Sequence, residues 1–522
     1  MGSGGGMAAA TAAGNNVACI HFGDRQFQLG ERLARGARAA QSLAAAGIGR
    51  GDVVALVLHN EPTFLEALTC LRCLDAVLVL VPWHLTVAEL QQVFAAVKPR
   101  LVIMHSHLAA RVRPAAADLP DACFAVVETP AETLQAFDLA TPAALPPRAD
   151  TWLWQDLVEH GGRGLPMPAQ TLRAIALSSG STGRPKIIRR DGVQRWRQWA
   201  DHCTRAWPAI RRSIVTAPLY HTGQYGVFSQ ACQTGADLVI LPRFEPEVFL
   251  QAVERHRANH AYLSPPMFVQ LLRLPAAVRQ RYDLGSLDYL VQTGAPCAPA
   301  IKQEMIDWLG PIIWEVYGAS ECSLISACSS PEWLHRPGTV GRPMRRIVII
   351  GDSGEPCPTG EVGEIFVDIS DMPGLRYQNA QVRHCRVGTT DFVSMGDRGH
   401  CDADGYLYLA GRVDEVINNG RLKVYPEEIE QAILAHPAIE DCVVFPLPDP
   451  LSFQAIGAAV TVTAGLECTE DSLRTWLAGR ISEHKLPARV WFQSQPLRTG
   501  TGKVNRQALA ERLLAVSRIT EG

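Results

Sequence analysis

Apolar runs alternate with amphipathic segments over most of the first half of the chain. Residues 28–47 place alanine and leucine on one helical face and end in glycine, which predicts a helix. Residues 52–59 form a short apolar run flanked by glycine and asparagine, a pattern typical of a buried parallel strand. Residues 87–98 and 100–106 repeat the helix pattern and the strand pattern. This alternation predicts α/β architecture, with helices covering mostly parallel sheets.

The pattern changes after about residue 350. Residues 361–369 and 405–412 alternate apolar and polar positions, which predicts antiparallel strands in a β-barrel-like part. A compact block with its own helices and strands follows Asp414. We therefore predict an α/β fold in three segments: a disordered terminus with a tag-like opening (1–26), a large domain of mostly parallel sheets (27–413) and a small α+β domain (414–522).

Composition limits the classes of partner. The chain has 522 residues, of which 47% are hydrophobic and 19% charged, as expected for a globular protein with more than one domain. Lys and Arg total 49 against 52 for Asp and Glu, so the net charge of −3 gives no electrostatic reason to expect nucleic acid or an acidic membrane. No uninterrupted apolar run reaches the roughly 18 to 20 residues that cross a bilayer. These features favour small-molecule chemistry.

The 14 cysteines are scattered without a paired framework, which indicates reduced thiols and a cytoplasmic location. Cys70 and Cys73 form a CxxC, a spacing that also occurs in redox and metal sites. They lie inside the apolar, helix-like run of residues 64–81, and no second CxxC completes a ligand set. We interpret them as buried structural cysteines.

Four motifs carry candidate chemistry, and the first is SSGSTGRPK at residues 178–186. Small residues let a backbone close round an anion, while N–H groups and hydroxyls donate to phosphate oxygens and Lys186 adds positive charge. The spacing differs from that of a Walker P-loop, because here the lysine follows proline. Taken alone, the motif fits either a phosphate loop or a Ser/Gly surface turn.

The second motif is VYGASE at residues 316–321, which follows an apolar strand. A strand that ends in Tyr317 and Gly318 brings an aromatic face and a bare backbone to a cleft. Ser320 and Glu321 then offer a hydroxyl and a carboxylate to phosphate and Mg²⁺. An ordinary strand-end loop is the alternative interpretation.

The third and fourth motifs lie towards the C-terminus. Residues 395–417 contain Asp397, which could accept the hydroxyls of a ribose, and Arg412, which could meet ribose or phosphate. A polar hairpin followed by a linker is the alternative for this motif. LRTGTGKVNR, at residues 497–506, is a Gly/Thr loop that carries Lys503, and taken alone it is a solvated basic loop.

In this order and at these separations, the four motifs resemble those of the adenylate-forming superfamily, which includes acyl-CoA synthetases, aryl-acid and amino-acid adenylating enzymes and luciferases. The resemblance spans residues 27–510. It implies an ATP-dependent ligase that joins a carboxylic acid to AMP, releases pyrophosphate and passes the acyl group to a second nucleophile. It also implies ATP and Mg²⁺, CoA as a co-substrate, and a mobile C-terminal domain that rotates about a hinge at Asp414.

The resemblance assigns roles to matching positions. The β- and γ-phosphates would be held by Ser179, Gly180, Ser181, Thr182, Gly183 and Lys186. The adenine would lie beside Gly294, Ala295 and Pro296 and stack on Tyr317, next to Gly318. Ser320 would touch phosphate and Glu321 would hold Mg²⁺. Asp397 would bind the ribose with support from Arg412, and Lys503 would bridge the substrate carboxylate and the α-phosphate.

The stretch APLYHTGQYG, residues 217–226, indicates which side chains line the acid pocket. Amino-acid-activating members usually place an aspartate near here to pair with the α-ammonium, and this stretch has none. Its candidate pocket residues are Tyr220, His221, Gln224 and Tyr225. Such a pocket suits an acid without an α-amino group, for example an aryl, cyclic or medium-length acyl acid. His221 matches the aromatic gate between acid and nucleotide, with a hydrogen-bonded core histidine as the alternative.

Residues 418–430 resemble the segment of acid–CoA ligases whose glycines line the pantetheine tunnel. Gly420 is present, but Arg421 replaces the next glycine. Thioester formation with CoA is therefore the leading interpretation, and attack by an amine or by a carrier-protein thiol are the alternatives. A degenerate member that binds without turnover is a further alternative. Workable groups at the expected catalytic positions argue against it: Lys186, Glu321, Asp397, Arg412 and Lys503.

Overall fold

The computed structural model describes residues 18–143, 148–168, 172–178, 186–190, 208–370, 372, 375–378, 382–419, 422–449, 453–498 and 504–520. Within them the chain folds into four sheets, and helices pack on the two largest. The helices are α1 (Leu29–Ala45), α2 (Thr63–Cys73), α3 (Val87–Val97), α4 (Ala109–Ala115), α5 (Ala131–Ala136), α6 (Trp154–Glu159), α7 (Thr222–Thr234), α8 (Pro246–His256), α9 (Pro265–Leu272), α10 (Ala276–Arg279), α11 (Pro299–Leu309), α12 (Ser330–His335), α13 (Pro426–Leu434), α14 (Glu470–Leu477) and α15 (Arg506–Thr520).

Sheet 1 is parallel at its centre and antiparallel at both edges. Its spatial order is β16 (Arg342–Pro343), β15 (Ser323–Ser329), β14 (Ile313–Ala319), β13 (Tyr289–Gln292), β12 (His260–Leu263), β10 (Arg212–Val215), β11 (Asp237–Ile240), β1 (Cys19–Phe22) and β2 (Arg25–Gln28). The carboxyl ends of its parallel strands open towards the candidate site.

Sheet 2 is parallel from β8 to β7. Its order is β19 (Leu375–Tyr377), β9 (Lys186–Arg190), β8 (Arg173–Ser178), β4 (Val77–Leu80), β3 (Val53–Val57), β5 (Leu101–His105), β6 (Cys123–Val127) and β7 (Thr151–Leu153). Every residue of β5 is buried, because helices cover both faces of the sheet, which explains its continuous apolar run.

Sheets 3 and 4 are smaller and mostly antiparallel. Sheet 3 contains β17 (Ile347–Ile350), β18 (Gly363–Asp368), β21 (Thr390–Cys401) and β20 (His384–Val387), with β22 (Leu407–Arg412) also paired to β21. Sheet 4 contains β24 (Leu422–Val424), β23 (Ile417–Asn419), β26 (Phe453–Val462) and β25 (Ile439–Asp449), with β27 (Arg489–Phe492) paired to β26. The turn Val413–Glu415 connects sheet 3 to sheet 4. The predicted fold class, mostly parallel sheets with a barrel-like part and a small α+β part, is confirmed.

Two sequence interpretations need correction. The apolar run over residues 64–81 is not continuously helical, because α2 ends at Cys73, Asp75 takes a positive φ of 50°, and the β-branched residues that follow form β4. Cys70 is fully buried, as predicted, whereas Cys73 is only half-buried. The folded part begins before residue 27, since Cys19–Phe22 pairs with β11 and buries Ile20 and Phe22.

One side chain joins sheet 1 to sheet 2. Asn60, which follows β3 and is 3% exposed, donates from Nδ2 to the carbonyls of Ala217 (2.9 Å) and Leu241 (3.2 Å). Its Oδ1 accepts a hydrogen bond from the backbone N–H of Leu219 (2.8 Å). Because all these groups are buried or nearly so, the contacts fix the position of the β10–α7 connection against sheet 2. In the described part of the chain, no helix is both long and apolar enough to cross a membrane.

Substituting Asn60 with alanine should lower the free energy of unfolding by on the order of 3 kcal/mol, because the change strands three backbone groups in a buried place. Urea unfolding followed by tryptophan fluorescence measures the effect. Gln280 is exposed, so the Gln280→Ala variant serves as the control and should change the free energy of unfolding by less than about 0.5 kcal/mol. Equal stability of the two variants would contradict the role of Asn60.

Candidate active site

A cavity of about 1470 Å³ lies where the carboxyl ends of sheet 1 meet sheet 3 and the C-terminal part of the chain. Ligand pockets of roughly 300 to 1000 Å³ hold drug-sized molecules, so this cavity has room for two small molecules side by side. The described residues that line it and that the sequence had singled out are Tyr220, His221, Gly294, Ala295, Pro296, Tyr317, Gly318, Ser320, Glu321, Asp397, Arg412 and Asp414.

The centre of the cavity wall is a hydrogen-bonded chain of polar groups. Tyr317, at the end of β14, donates its hydroxyl to Asp397 Oδ2 at 2.7 Å. Arg412 donates from Nη1 to the other carboxylate oxygen at 2.9 Å and from Nε to Asp414 Oδ1 at 3.3 Å. Asp397 and Arg412 are cross-strand partners in the β21–β22 hairpin, so the register of that hairpin brings them together.

Burial and the neighbouring charges shift the pKa values of this chain of groups. Burial raises the pKa of Asp397, while Arg412 and the Tyr317 hydroxyl act in the opposite direction. Burial and the neighbouring Asp397 carboxylate raise the pKa of Tyr317 well above its usual range, so its hydroxyl stays protonated and donates. A carboxylate accepts about four hydrogen bonds, and two of these positions remain available for a ligand with adjacent hydroxyls.

Two glycines allow the hairpin to approach its neighbours. Gly396 has a φ of 76°, and a Cβ there would lie 2.8 Å from Nη2 of Arg412. Gly411 has a φ of 112°, and a Cβ there would lie 2.4 Å from the carboxylate of Glu427. Any side chain at either position would therefore displace the Arg412 guanidinium or the Glu427 carboxylate and strain the backbone.

The phosphate-loop motif is described only at its two ends. Ser178, the last residue of β8, is the antiparallel partner of Lys186, the first residue of β9. Residues 179–185, which include Ser179, Gly180, Ser181, Thr182 and Gly183, lie outside the described residues, as do the side chains of Ser178 and Lys186. The described pairing shows that the motif connects two neighbouring strands of sheet 2 at the point where β8 ends.

Oxygen atoms of three residues line another part of the cavity. Thr222, the first residue of α7, and Ser320, which follows β14, place their hydroxyl oxygens 3.4 Å apart. Glu321 is half-buried and lines the same cavity. One carboxylate and two hydroxyls form a donor set of hard oxygen atoms, which is the kind of set that suits Mg²⁺.

The other end of the cavity is aromatic. Tyr220 and His221 lie together with ring centroids 4.3 Å apart, and the Tyr220 hydroxyl is 3.2 Å from His84 Nδ1. Gln224 and Tyr225, in contrast, are not among the described residues that line the cavity. Gln224 Oε1 accepts hydrogen bonds from the backbone N–H groups of Thr216 (3.2 Å) and Ala217 (3.0 Å), so its carbonyl end holds the chain after β10.

Comparison with known proteins decides the family. Residues 7–372 match the family described as AMP-binding enzyme, and residues 428–503 match the AMP-binding enzyme C-terminal domain. The first match alone covers more than half of the chain. The chain belongs to the AMP-binding enzyme family. The resemblance inferred from the four motifs is thereby confirmed.

Relatives of this AMP-binding enzyme align along nearly their whole length. The chain is similar to an indoleacetate–CoA ligase of Aromatoleum aromaticum, with 28% identity over 502 residues that cover 93% of each chain. It is also similar to a feruloyl-CoA synthase of an Amycolatopsis species, with 28% identity over 496 residues that cover 94% of each chain. Both relatives act on acids that carry an aromatic group.

Solved structures show the same fold. The amide bond synthetase McbA from Marinactinospora thermotolerans superposes with a TM-score of 0.80 at 24% identity, covering 98% of this chain and 100% of that one. The anthranilate CoA ligase AuaEII, solved with anthranoyl-AMP, superposes with a TM-score of 0.81 at 21% identity, covering 98% and 96%. At this level of identity the likeness shows the shared architecture.

An ion-pair network in the C-terminal part of the AMP-binding enzyme reaches the cavity. Arg506, the first residue of α15, binds the carboxylates of Glu430 and Glu415, the latter at 2.9 Å. Arg498 binds the same Glu430 at 3.2 Å. Burial disfavours the Glu430 carboxylate, yet Arg506 and Arg498 hold its pKa below the ordinary value. Burial raises the pKa of the adjoining Glu427 to about 7.

Sequence reasoning missed part of this site. Thr222 directly follows His221 at the start of α7. Its contact with the hydroxyl of Ser320 joins segments far apart in sequence, so the sequence alone did not predict it. His84 follows an apolar strand in the stretch PWH, so its position after β4 was the available signal. Arg506 ends the fourth motif, and its pairing with Glu430 depends on contacts far apart in sequence. Lys503 lies outside the described residues, but Val504 and Asn505 line the cavity.

Glu427→Gln should flatten the pH dependence of stability. A carboxyl whose pKa is near 7 in the folded protein and 4.5 ordinarily binds a proton more tightly when folded, so the free energy of unfolding falls as pH rises from 4.5 to 7. Between these limits the wild type should lose on the order of 2 kcal/mol more than the variant. Urea unfolding at a series of pH values measures this difference. The exposed Glu483→Gln variant should follow the wild type, and a Glu427→Gln curve parallel to the wild type would refute the assignment.

Proposed function

We propose that this AMP-binding enzyme uses ATP to activate an aromatic carboxylic acid and passes the acyl group to CoA. The observation that carries the proposal is the single cavity that the Tyr317–Asp397–Arg412 cluster and residues 504–506 line together. The cluster offers a site for the ribose of ATP. Residues 504–506 directly follow Lys503, so they bring the start of α15 to the same cavity.

The nucleotide would be bound by the residues that the sequence assigned. The adenine would lie beside Gly294–Pro296 and the ring of Tyr317, and the ribose hydroxyls would bind Asp397. The β- and γ-phosphates would meet the residue 178–186 motif and the hydroxyl of Ser320. Glu321 would hold Mg²⁺, whose charge, when the ion is bound, offsets that of the phosphates.

The first step joins two anions, and the site must overcome their repulsion. A carboxylate oxygen of the acid attacks the α-phosphorus of ATP, and the bond to pyrophosphate breaks. Lys503 would hold the two reacting groups in line and offset their charge. In the second step, the sulfur of CoA attacks the acyl carbonyl, its proton is lost, and AMP leaves.

The acid end of the cavity supports a substrate without an α-amino group. The carboxylate of Glu89 accepts hydrogen bonds from the backbone and hydroxyl of Thr86 at 2.8 Å each, and Glu315 pairs with Lys302 at 2.7 Å. Both of these residues line the cavity, and both carboxylates are engaged within the protein. The aromatic Tyr220 and His221 favour a planar ring, in keeping with the names of the two relatives. His221 would separate the acid from the nucleotide.

A hinge at Asp414 would let one cavity serve both steps. The turn Val413–Glu415 stands between sheets 3 and 4, and the C-terminal family match begins at residue 428. We therefore propose residues 27–413 and 414–522 as the two bodies that rotate. An amine is the second candidate acceptor, because the shared fold extends to an amide bond synthetase. The cytoplasmic location inferred from the cysteine content stays a prediction.

Lys503→Ala should slow adenylation by a few hundredfold, equivalent to on the order of 3 kcal/mol of transition-state stabilisation, because it removes a positioned charge. Acid-dependent exchange of labelled pyrophosphate into ATP measures the step directly. Arg512→Ala, an exposed basic residue on α15, is the matched control and should retain the wild-type rate. An exchange rate in Lys503→Ala equal to that of Arg512→Ala would contradict the role of Lys503, and no exchange in the wild type with any acid would refute adenylation.

Incubation with ATP, a panel of aryl acids and either CoA or a mixture of amines should give acyl-CoA thioesters, identified by mass spectrometry. Each product should require ATP, and its rate of formation should fall by a few hundredfold with Lys503→Ala, which separates enzymatic products from background aminolysis. If amides form and no thioester does, the acceptor is an amine and not CoA.

A further inference from the structure

Three histidines cluster at the carboxyl ends of β3 and β5, two neighbouring strands in the interior of sheet 2, behind the acid end of the cavity. His59 follows β3, His105 ends β5, and His107 lies in the turn that comes directly after β5. Strands β3 and β5 are parallel neighbours, with Val57 opposite Met104, so their carboxyl ends bring the three side chains to the same place. His59 and His105 are 2% and 0% exposed.

The spacing of the ring nitrogens fits a metal ion. One nitrogen from each ring lies within 4.8 Å of the other two, and Nε2 of His59 is 3.2 Å from Nε2 of His107. Zinc binds histidine nitrogen at about 2.0 to 2.1 Å, so two ligands of a tetrahedral ion lie roughly 3.3 Å apart. The observed separation is therefore close to the edge of a zinc tetrahedron.

The surroundings orient two of the rings as ligating histidines are usually oriented. His107 Nδ1 is 2.8 Å from the hydroxyl of Thr129, and His105 Nε2 is 2.8 Å from the carboxylate of Glu61. A ligating histidine normally gives its second nitrogen to such an oxygen, which fixes the ring and leaves the first nitrogen for the metal. His105 Nδ1 accepts a backbone hydrogen bond from His59 at 3.1 Å, which an ion would replace.

The third ring is left incompletely bonded by the protein. Nδ1 of His59 is buried and has no hydrogen-bond partner among the residues that the structure describes. Trp83 stacks on this ring with centroids 4.2 Å apart, and Phe137 lies 4.4 Å away. An ion on Nε2 would leave Nδ1 as it is; the 3.2 Å separation of Nε2 from His107 is what brings this ring into the site, and the aromatic wall keeps water away from it.

We propose that His59, His105 and His107 bind one zinc ion. Neutral imidazole nitrogens without a thiolate are ligands for zinc and neighbouring divalent metals rather than for magnesium or calcium. The Glu61 carboxylate would offset part of the positive charge of the ion and of nearby Arg111. Arg111 donates a hydrogen bond to the carbonyl of Trp83. Three ligands leave a fourth position for water.

The site would stabilise the wall of the acid pocket. Asn60, next to His59, joins sheet 2 to the chain that carries Tyr220. His84, next to Trp83, contacts the Tyr220 hydroxyl. An ion that fixes His59 would thus hold both connections behind the pocket. This role is separate from the proposed ligase chemistry.

The test uses the full chain without a polyhistidine tag, stripped with a chelator and then exposed to ZnCl₂. After gel filtration, elemental analysis should find one zinc per wild-type chain, and X-ray absorption should show nitrogen ligands near 2.0 Å. His107→Gln should weaken zinc binding at least 100-fold, and Thr129→Val about tenfold, because the latter keeps all three rings and removes the hydroxyl that bonds His107 and Ser106. Zinc should raise the melting temperature of the wild type but not of His107→Gln.

His256→Gln is the matched control, since His256 contacts His21 with ring centroids 4.6 Å apart in a pair that no third histidine of the described residues joins. It should bind zinc as the wild type does. Less than one-tenth of an equivalent of zinc in the wild type, or equal binding by His107→Gln and the wild type, would overturn the proposal and leave the cluster a packed set of neutral rings. Because zinc content is measured without turnover, the result is independent of whether the chain is a ligase.

Discussion

The site depends on a carboxylate that has been taken out of water. Asp397 is held between the hydroxyl of Tyr317, from sheet 1, and the guanidinium of Arg412, from the neighbouring strand of sheet 3. Removing either partner would leave a buried charge with too few hydrogen bonds, which is far more costly than losing a surface contact. The same arginine reaches Asp414 at the start of the C-terminal part. One carboxylate therefore fixes the relation of two sheets and the residue at which the chain leaves them.

Much of the architecture could be predicted from the sequence, because each element has a strong local signal. The apolar run at Val53–Val57 and the amphipathic pattern at Val87–Val97 appear as a strand and a helix at nearly the predicted bounds. The exceptions have physical reasons. Residues 64–81 are apolar throughout, and periodicity alone could not separate α2 from β4. Residues 19–22 pair with β11, far along the chain, which no local pattern reveals, and residues 25–28 add to them as a hairpin.

The candidate site was predictable where spacing along the chain determines contact. Asp397 and Arg412 belong to one hairpin, so their proximity follows from its register. Contacts between distant segments were not predictable in this way. Gln224 was assigned to the acid pocket from its place in the stretch of residues 217–226, but its carbonyl oxygen satisfies two backbone N–H groups after β10. The three histidines of sheet 2 gave no motif, since only parallel pairing of β3 with β5 brings them together.

The double attachment of Glu430 has a consequence for the evolution of this chain. Arg498 and Arg506 stand on either side of the segment that contains Lys503, and both bind that one glutamate. The residues on both sides of this segment are therefore anchored to the same glutamate. Insertions or deletions within the segment would relocate the amine while α15 and β25 keep their packing. Under the role proposed for Lys503, a change in the length of this segment would move the amine relative to the cavity, with little cost to the stability of the surrounding domain.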